Sequence, residues 1–185
     1  MSSPDVKRRA PLLPVVLTLA VALSLGGCFR PLYGTTSAGT SVRSDLAAIE
    51  VAPMGAAVGQ ERMAHYLRNE TVFALNGGAP AGDKRYRLEL TVSERVQTAI
   101  VDSSTGNAQS ATLIGTANYT LRPYAGGDPI FTGKAVASAS YDRSPQRFAS
   151  LRAARDAEIL VAKQLAEQIK TQLAARMANR QVAGL

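Results

Sequence analysis

The stretch YRLELTVSERVQTAIV, residues 86–101, alternates almost without a break. Tyr86, Leu88, Leu90, Val92, Val96 and Ile100 share one parity. Arg87, Glu89, Thr91, Ser93, Arg95 and Gln97 take the other, with Arg85 just ahead. Alternation of this kind makes a strand with one face on a core and one face toward water or a partner. The turn cluster DSSTGN, 102–107, follows it. A second such strand runs over about 110–124, with Leu113, Ala117, Tyr119 and Leu121 on one face. After YAGGDP, Ile130 to Tyr141 reads as a third, rich in small residues. Three long strands joined by short turns form an antiparallel meander.

A one-sided sheet needs a cover, and the sequence supplies two candidates. Residues 59–76 place Met63, Leu67, Thr71, Ala74 and Leu75 near helical spacing, and Asn76-Gly77-Gly78 stops the run. From Phe148 to about Ala178 the chain is rich in Ala, Leu, Gln, Lys and Arg. Ala154, Val161, Leu165, Ile169 and Leu173 form its apolar stripe, widened by Leu151, Ala162 and Ala166. Ser144 and Pro145 suit its N-cap and first helical position. Leu46 to Val51 reads as a short first strand stopped by Pro53. The expected order is β-α-β-β-β-α: an α+β, two-layer sandwich of a four-stranded mixed sheet covered by two helices. One domain, 45–180, is expected, with a tail at 181–185.

Ahead of this domain lies an export leader. Lys7, Arg8 and Arg9 precede an uncharged run from Leu12 to Leu25, and Gly26 and Gly27 close it before Cys28. A basic head, a short apolar middle and a small-residue exit mark a secretory signal over residues 1–27. Leu25-Gly26-Gly27-Cys28 resembles the bacterial lipobox, in which the cysteine is acylated and the peptide is cut just before it. Cys28 is the only cysteine, so no intramolecular disulfide can form. The expected modification is a covalent N-acyl and S-diacylglycerol lipid on Cys28, and residues 28–44 read as a lipidated N-terminus and flexible tether. Loss of Lys7, Arg8, Arg9 and Asp5 with the leader takes the net charge from +7 to +5. That balance suits anionic lipid, anionic saccharide or an acidic protein.

The chemical inventory favours binding over catalysis. His65 is the only histidine and falls inside the first expected helix. There is no G-x-S-x-G elbow and no phosphate-loop pattern, so no catalytic residue, metal or cofactor is expected. A periplasmic hydrolase would need His65 beside a serine or a carboxylate in a cleft. The cations offer more. Arg85, Arg87, Arg95, Arg122 and Lys134 fall on strands, and Arg143, Arg147 and Arg152 cluster where the last strand turns into the last helix. Arg143, Arg147, Arg152 and Lys134 are the candidate contacts to the phosphates of an anionic ligand, which arginine binds through paired donors.

The run GCFRPLYG, with Phe29-Arg30-Pro31-Leu32-Tyr33-Gly34 after the cysteine, resembles the start of mature lipoproteins of the LptE family, alphaproteobacterial type. The order of elements and the passage YDRSPQRFASLRAARDAE extend that resemblance over most of the chain. It implies a lipid-anchored protein on the periplasmic side of the outer membrane. There it plugs and helps assemble the LptD β-barrel and assists lipopolysaccharide delivery. Phe29 stands where an aspartate would favour inner-membrane retention, which agrees with the outer membrane. The alternative expectation is an auxiliary lipoprotein subunit of an ABC-type lipid transporter. Nucleic acid is not an expected partner.

Overall fold

The computed structural model describes residues 41–78, 83–101 and 108–183. The leader, Cys28 and most of the expected tether lie outside the described residues, as do the turn at 102–107 and the last two positions.

Helix α1 spans Val42–Ala47, strand β1 Ile49–Val51 and helix α2 Glu61–Asn76. Strands β2 (Tyr86–Val101), β3 (Ala108–Pro123) and β4 (Phe131–Asp142) follow, and helix α3 runs from Arg147 to Ala183. The two-layer α+β sandwich is as expected, and the order gains one element at its start.

That element corrects the reading of residues 41–51. Ser41 caps α1, its hydroxyl accepting from the Ser44 N–H at 3.1 Å. Val42 and Leu46, one helical turn apart, are both buried. Leu46 therefore belongs to a helix, and β1 keeps only three residues. Residues 41–44, read as tether, are part of the described fold.

The sheet order is β1-β2-β3-β4. β1 lies parallel to β2, from Ile49 opposite Tyr86 to Val51 opposite Leu88, with α2 as the crossover. β2 and β3 pair antiparallel from Tyr86–Pro123 toward Val101–Ala108, with irregularities between Thr98 and Val101. β3 and β4 pair antiparallel from Ser110–Asp142 to Leu121–Phe131. The mixed sheet is as expected, and β1 sits beside the next strand in the chain.

Alternation decides which face is inside. Leu88, Leu90, Leu113, Ala117, Tyr119, Leu121, Ala135, Ala137 and Ala139 are buried under the helices. Val161, Leu165, Ile169 and Leu173 of α3 are fully buried against them. Each such side chain contributes about 1.5–3 kcal/mol by leaving water. The alanines of β4 let α3 approach closely, as does Gly115, where a Cβ would stand 2.5 Å from Val161 Cγ1. At about 1.5 Å per residue, α3 is about 55 Å long, matching a sixteen-residue strand at about 3.3 Å each. The helix therefore spans the sheet end to end.

The ends of the helices follow local chemistry. Gly77 closes α2 in the left-handed conformation (φ 69°), its N–H donating to Phe73 O at 2.7 Å. Ser144 does not sit directly at the start of α3. Its hydroxyl accepts from the Gln146 N–H and its carbonyl from the Ser150 hydroxyl, so it shapes the turn just before the helix. The open edge of β4 is covered from α3. Gln168 Oε1 accepts from the Val136 N–H, and Gln172 Nε2 donates to Lys134 O, both at 3.3 Å.

Candidate functional site

The two ends of the sandwich treat their cations differently. Where β2 begins, the cations are held. Arg85 pairs with Asp45 of α1, and Lys84 and Arg87 reach Glu50 of β1 at 3.2 and 3.3 Å. Arg87 also lies over the Tyr124 ring at 5.2 Å. Arg122 reaches Glu89 at 3.3 Å and Gly127 O at 3.1 Å. The Lys84 hydrogen bond, helped by Arg87, holds the Glu50 carboxyl below its ordinary range. These residues build the surface of the fold.

At the opposite end the cations are free. Arg143 follows β4, Arg147 opens α3, and Arg152 and Arg155 lie on its second and third turns. All four are exposed, and none forms an ion pair with a described residue. The first turn of α3 holds no acidic residue, although the helix dipole would favour one there. That arrangement gains the helix nothing in stability and leaves a concentrated positive end.

The structure groups Arg143, Arg147 and Arg152 at one end and leaves Lys134 elsewhere. Lys134 lies on the solvent face of β4 opposite Asn118, eight residues from Asp142. At about 3.4 Å per residue that is about 27 Å along the strand. Arg155 joins the cluster unannounced, and so do two apolar neighbours. Phe148 is 87% exposed and Leu151 is 58% exposed, although Leu151 had been expected in the buried stripe. Phe148, Leu151, Arg152 and Arg155 follow i, i+3, i+4, i+7 spacing and share one face. Farther along α3, a shallow cleft of about 460 Å³ separates it from α2. It is lined by Glu70, Phe73, Ala74, Ile159, Lys163, Ala166 and Glu167.

One polar cluster escaped the sequence reading. Arg62 of α2 grips Glu158 of α3 with two bonds of 2.6 Å, and the Glu158 side chain is only 8% exposed. Glu94 of β2 points into the same layer, and its Oε2 is buried without a hydrogen-bond partner. Burial pushes the Glu94 carboxyl up, the Glu158 carboxylate adds to the shift, and Arg62 opposes it. The pair with Glu158 raises Arg62. The clues were two acidic residues standing where apolar ones belong. Glu94 interrupts the core parity of β2, and Glu158 lies one turn before Val161 and Ala162 on the stripe of α3.

Because the folded Glu94 holds its proton more tightly than the unfolded one, stability falls as pH rises from the ordinary carboxyl range through its raised value. Above that raised value the cost is fully present. Glu94→Gln is therefore expected to stabilise the domain by about 1 kcal/mol at pH 7. The gain should vanish below pH ~4.5. Urea unfolding at the two pH values checks both.

His65 is exposed on α2, its ring nitrogen Nε2 lying 3.0 Å from Asn69 Nδ2, and no serine or carboxylate bonds to it among the described residues. No group of His, Cys, Asp and Glu able to hold a metal occurs among the described residues. No helix among them is long and apolar enough to cross a membrane.

The sequence profile of the lipopolysaccharide-assembly family LptE matches residues 46–173, which covers most of the described sandwich. A crystal structure of a protein from Caulobacter crescentus CB15 assigned as a lipoprotein superposes with a TM-score of 0.61 at 24% identity. The alignment covers 75% of this chain and 96% of that one. That fold is shared. A minor lipoprotein from Acinetobacter baumannii gives a TM-score of 0.47 at 18% identity, covering 70% of this chain and 91% of its own. Rare lipoprotein B from Shewanella oneidensis gives 0.42 at 19% identity, covering 73% and 96%. No curated protein sequence matches the chain.

Proposed function

The chain belongs to the lipopolysaccharide-assembly family LptE, and on that premise we propose that it is an outer-membrane lipoprotein anchored through Cys28. In this reading its domain plugs and helps assemble an LptD-type β-barrel on the periplasmic side and assists delivery of lipopolysaccharide to the surface. The work is binding and shaping, without a covalent step. Arg143, Arg147 and Arg152 are the proposed contacts to the phosphates of the glycolipid, with planar guanidinium forks that match phosphate oxygens. Lys134 lies too far along β4 to share one phosphate cluster with them and is a separate candidate.

The observation that carries this reading is the family match over residues 46–173. It falls on the same elements that the alternation and helix stripes define. The Cys28 leader motif supports the anchor. The free arginines support an anionic ligand, since side chains kept for stability alone tend to find partners, as Arg85, Arg87 and Arg122 do.

The test is isolation of the full chain from native membranes under gentle solubilisation. A large outer-membrane barrel is expected to accompany it, and mass spectrometry is expected to show a mature N-terminus at acylated Cys28. Recovery of the chain alone would overturn the barrel assignment. An intact leader with a bare thiol would overturn the anchor.

A further inference from the structure

We propose that the free end of α3 is a membrane-surface contact. Arg143, Arg147, Arg152 and Arg155 meet the phosphates of an anionic phospholipid bilayer while Phe148 and Leu151 enter its acyl boundary. The inference rests on the arginines being phosphate contacts and needs no barrel.

Three observations converge on this patch. First, Phe148 and Leu151 are the large apolar side chains of the opening turns of α3, exposed at 87% and 58%. They share a face with Arg152 and Arg155. An exposed apolar face flanked by arginines is the pattern of helices that lie at the headgroup–acyl boundary. Second, the four arginines have no carboxylate partner among the described residues, whereas Lys84, Arg85, Arg87 and Arg122 at the other end are paired. Third, the patch stands apart from the cleft. Neither Phe148 nor Leu151 lines the cleft between α2 and α3. A single lipid molecule is best held in a concave apolar pocket. An exposed ring-and-guanidinium surface outside that cleft suits a bilayer.

The patch is also far from where the chain enters the fold. Val161 and Leu165 stand over Gly115, and Gln172 meets Tyr119, so α3 runs alongside β3 toward α1. Its first turns therefore lie at the sheet end opposite Asp45 and Arg85, about 50 Å away at about 3.3 Å per strand residue. A probe at position 148 reports on this end and not on the N-terminal anchor.

The chain has no tryptophan, so Phe148→Trp in the full chain creates a single indole, excited apart from the tyrosines. Vesicles of equal parts phosphatidylcholine and phosphatidylglycerol are expected to shift its emission to the blue, and phosphatidylcholine vesicles are not. Phe73→Trp, exposed elsewhere, should stay unshifted in both. Adding Arg147→Gln and Arg152→Gln should weaken the vesicle-dependent shift, each arginine being worth about fivefold in partitioning. A chain that floats with the anionic vesicles while the indole introduced by Phe148→Trp keeps its aqueous emission overturns the inference, as does a chain that does not float. A shift with lipopolysaccharide micelles but not with phospholipid overturns the bilayer contact and leaves the arginine–phosphate reading standing. No shift with either overturns both, while the barrel assignment is judged separately by co-isolation.

Discussion

Gly133→Ala is expected to destabilise the domain by about 3 kcal/mol, a large cost for adding one methyl group. Gly133 of β4 stands directly opposite Tyr119 of β3. The tyrosine ring lies over the glycine, and a Cβ built there would fall on the ring itself, against Cζ, Cε1 and the hydroxyl oxygen. The ring cannot swing aside. It is almost fully buried, and its hydroxyl donates to Gln172 Oε1 of α3 at 2.8 Å. Burial raises the phenol above its ordinary range, with Arg176 opposing. Shielding of a strand glycine by an aromatic ring on the neighbouring strand is a recognised way to keep glycine in a sheet. The sign is diagnostic, because alanine in an unobstructed strand position would gain about 0.5–1 kcal/mol over glycine. Tyr119→Leu removes the obstacle at its own cost. In that background Gly133→Ala should cost less than about 1 kcal/mol, a coupling that urea unfolding of the four variants measures. An equal cost with and without the ring would show that Tyr119 is not the reason.

This pair also shows how far the sequence could be read. The parity of β2 and β3, the small residues of β4 and the long stripe of α3 are local patterns, and each became the element it implied. Gly133 looked like one more small residue in a strand, since its meaning depends on a ring on the neighbouring strand. Helix α1 was missed because Val42 and Leu46 give only one turn of periodicity, and Leu46 to Val51 is apolar enough to suit a strand. Among the cations, the cluster at Arg143, Arg147 and Arg152 was visible because those residues are close in the chain. Which cations are paired was not visible. Asp45–Arg85 and Glu50–Arg87 are set by the register of β1 against β2, which no local pattern encodes. Lys134 was grouped with the arginines by charge alone, and the length of β4 separates them. Leu151 fits the stripe by spacing, yet it lies where α3 approaches its free end. Periodicity gives the direction of a side chain and not whether anything stands opposite it.

The same lesson governs Arg62, and here the effect of pH can be worked out. Arg62→Ala is expected to cost about 2 kcal/mol at pH 7. Removing one partner of a fully buried pair costs about 3–5 kcal/mol. The value here should be lower because the Arg62 side chain is half exposed while Glu158 is nearly sealed. Without the guanidinium, Glu158 and Glu94 face each other with no cation between them, and Glu94 already lacks a partner for Oε2. Both carboxyls then hold protons more tightly folded than unfolded. The variant's stability should therefore rise as pH falls through their raised values, and the penalty should be fully present above them. The gap from the parent protein should be widest at pH 7 and should narrow as pH falls toward the ordinary carboxyl range, where the stranded charges of the variant are relieved. Glu158→Gln added to Arg62→Ala should recover more than half of the loss at pH 7, since it removes the stranded charge. Urea unfolding across that range distinguishes this account from lost packing of the arginine stem. A packing loss would be the same at every pH and would not respond to Glu158→Gln. The ion pair joins α2 to α3 directly beneath β2, so its loss should also loosen the cleft between the two helices. Lower amide protection around Phe73 and Ile159 in the variant than in the parent at pH 7 would be the corresponding local signature.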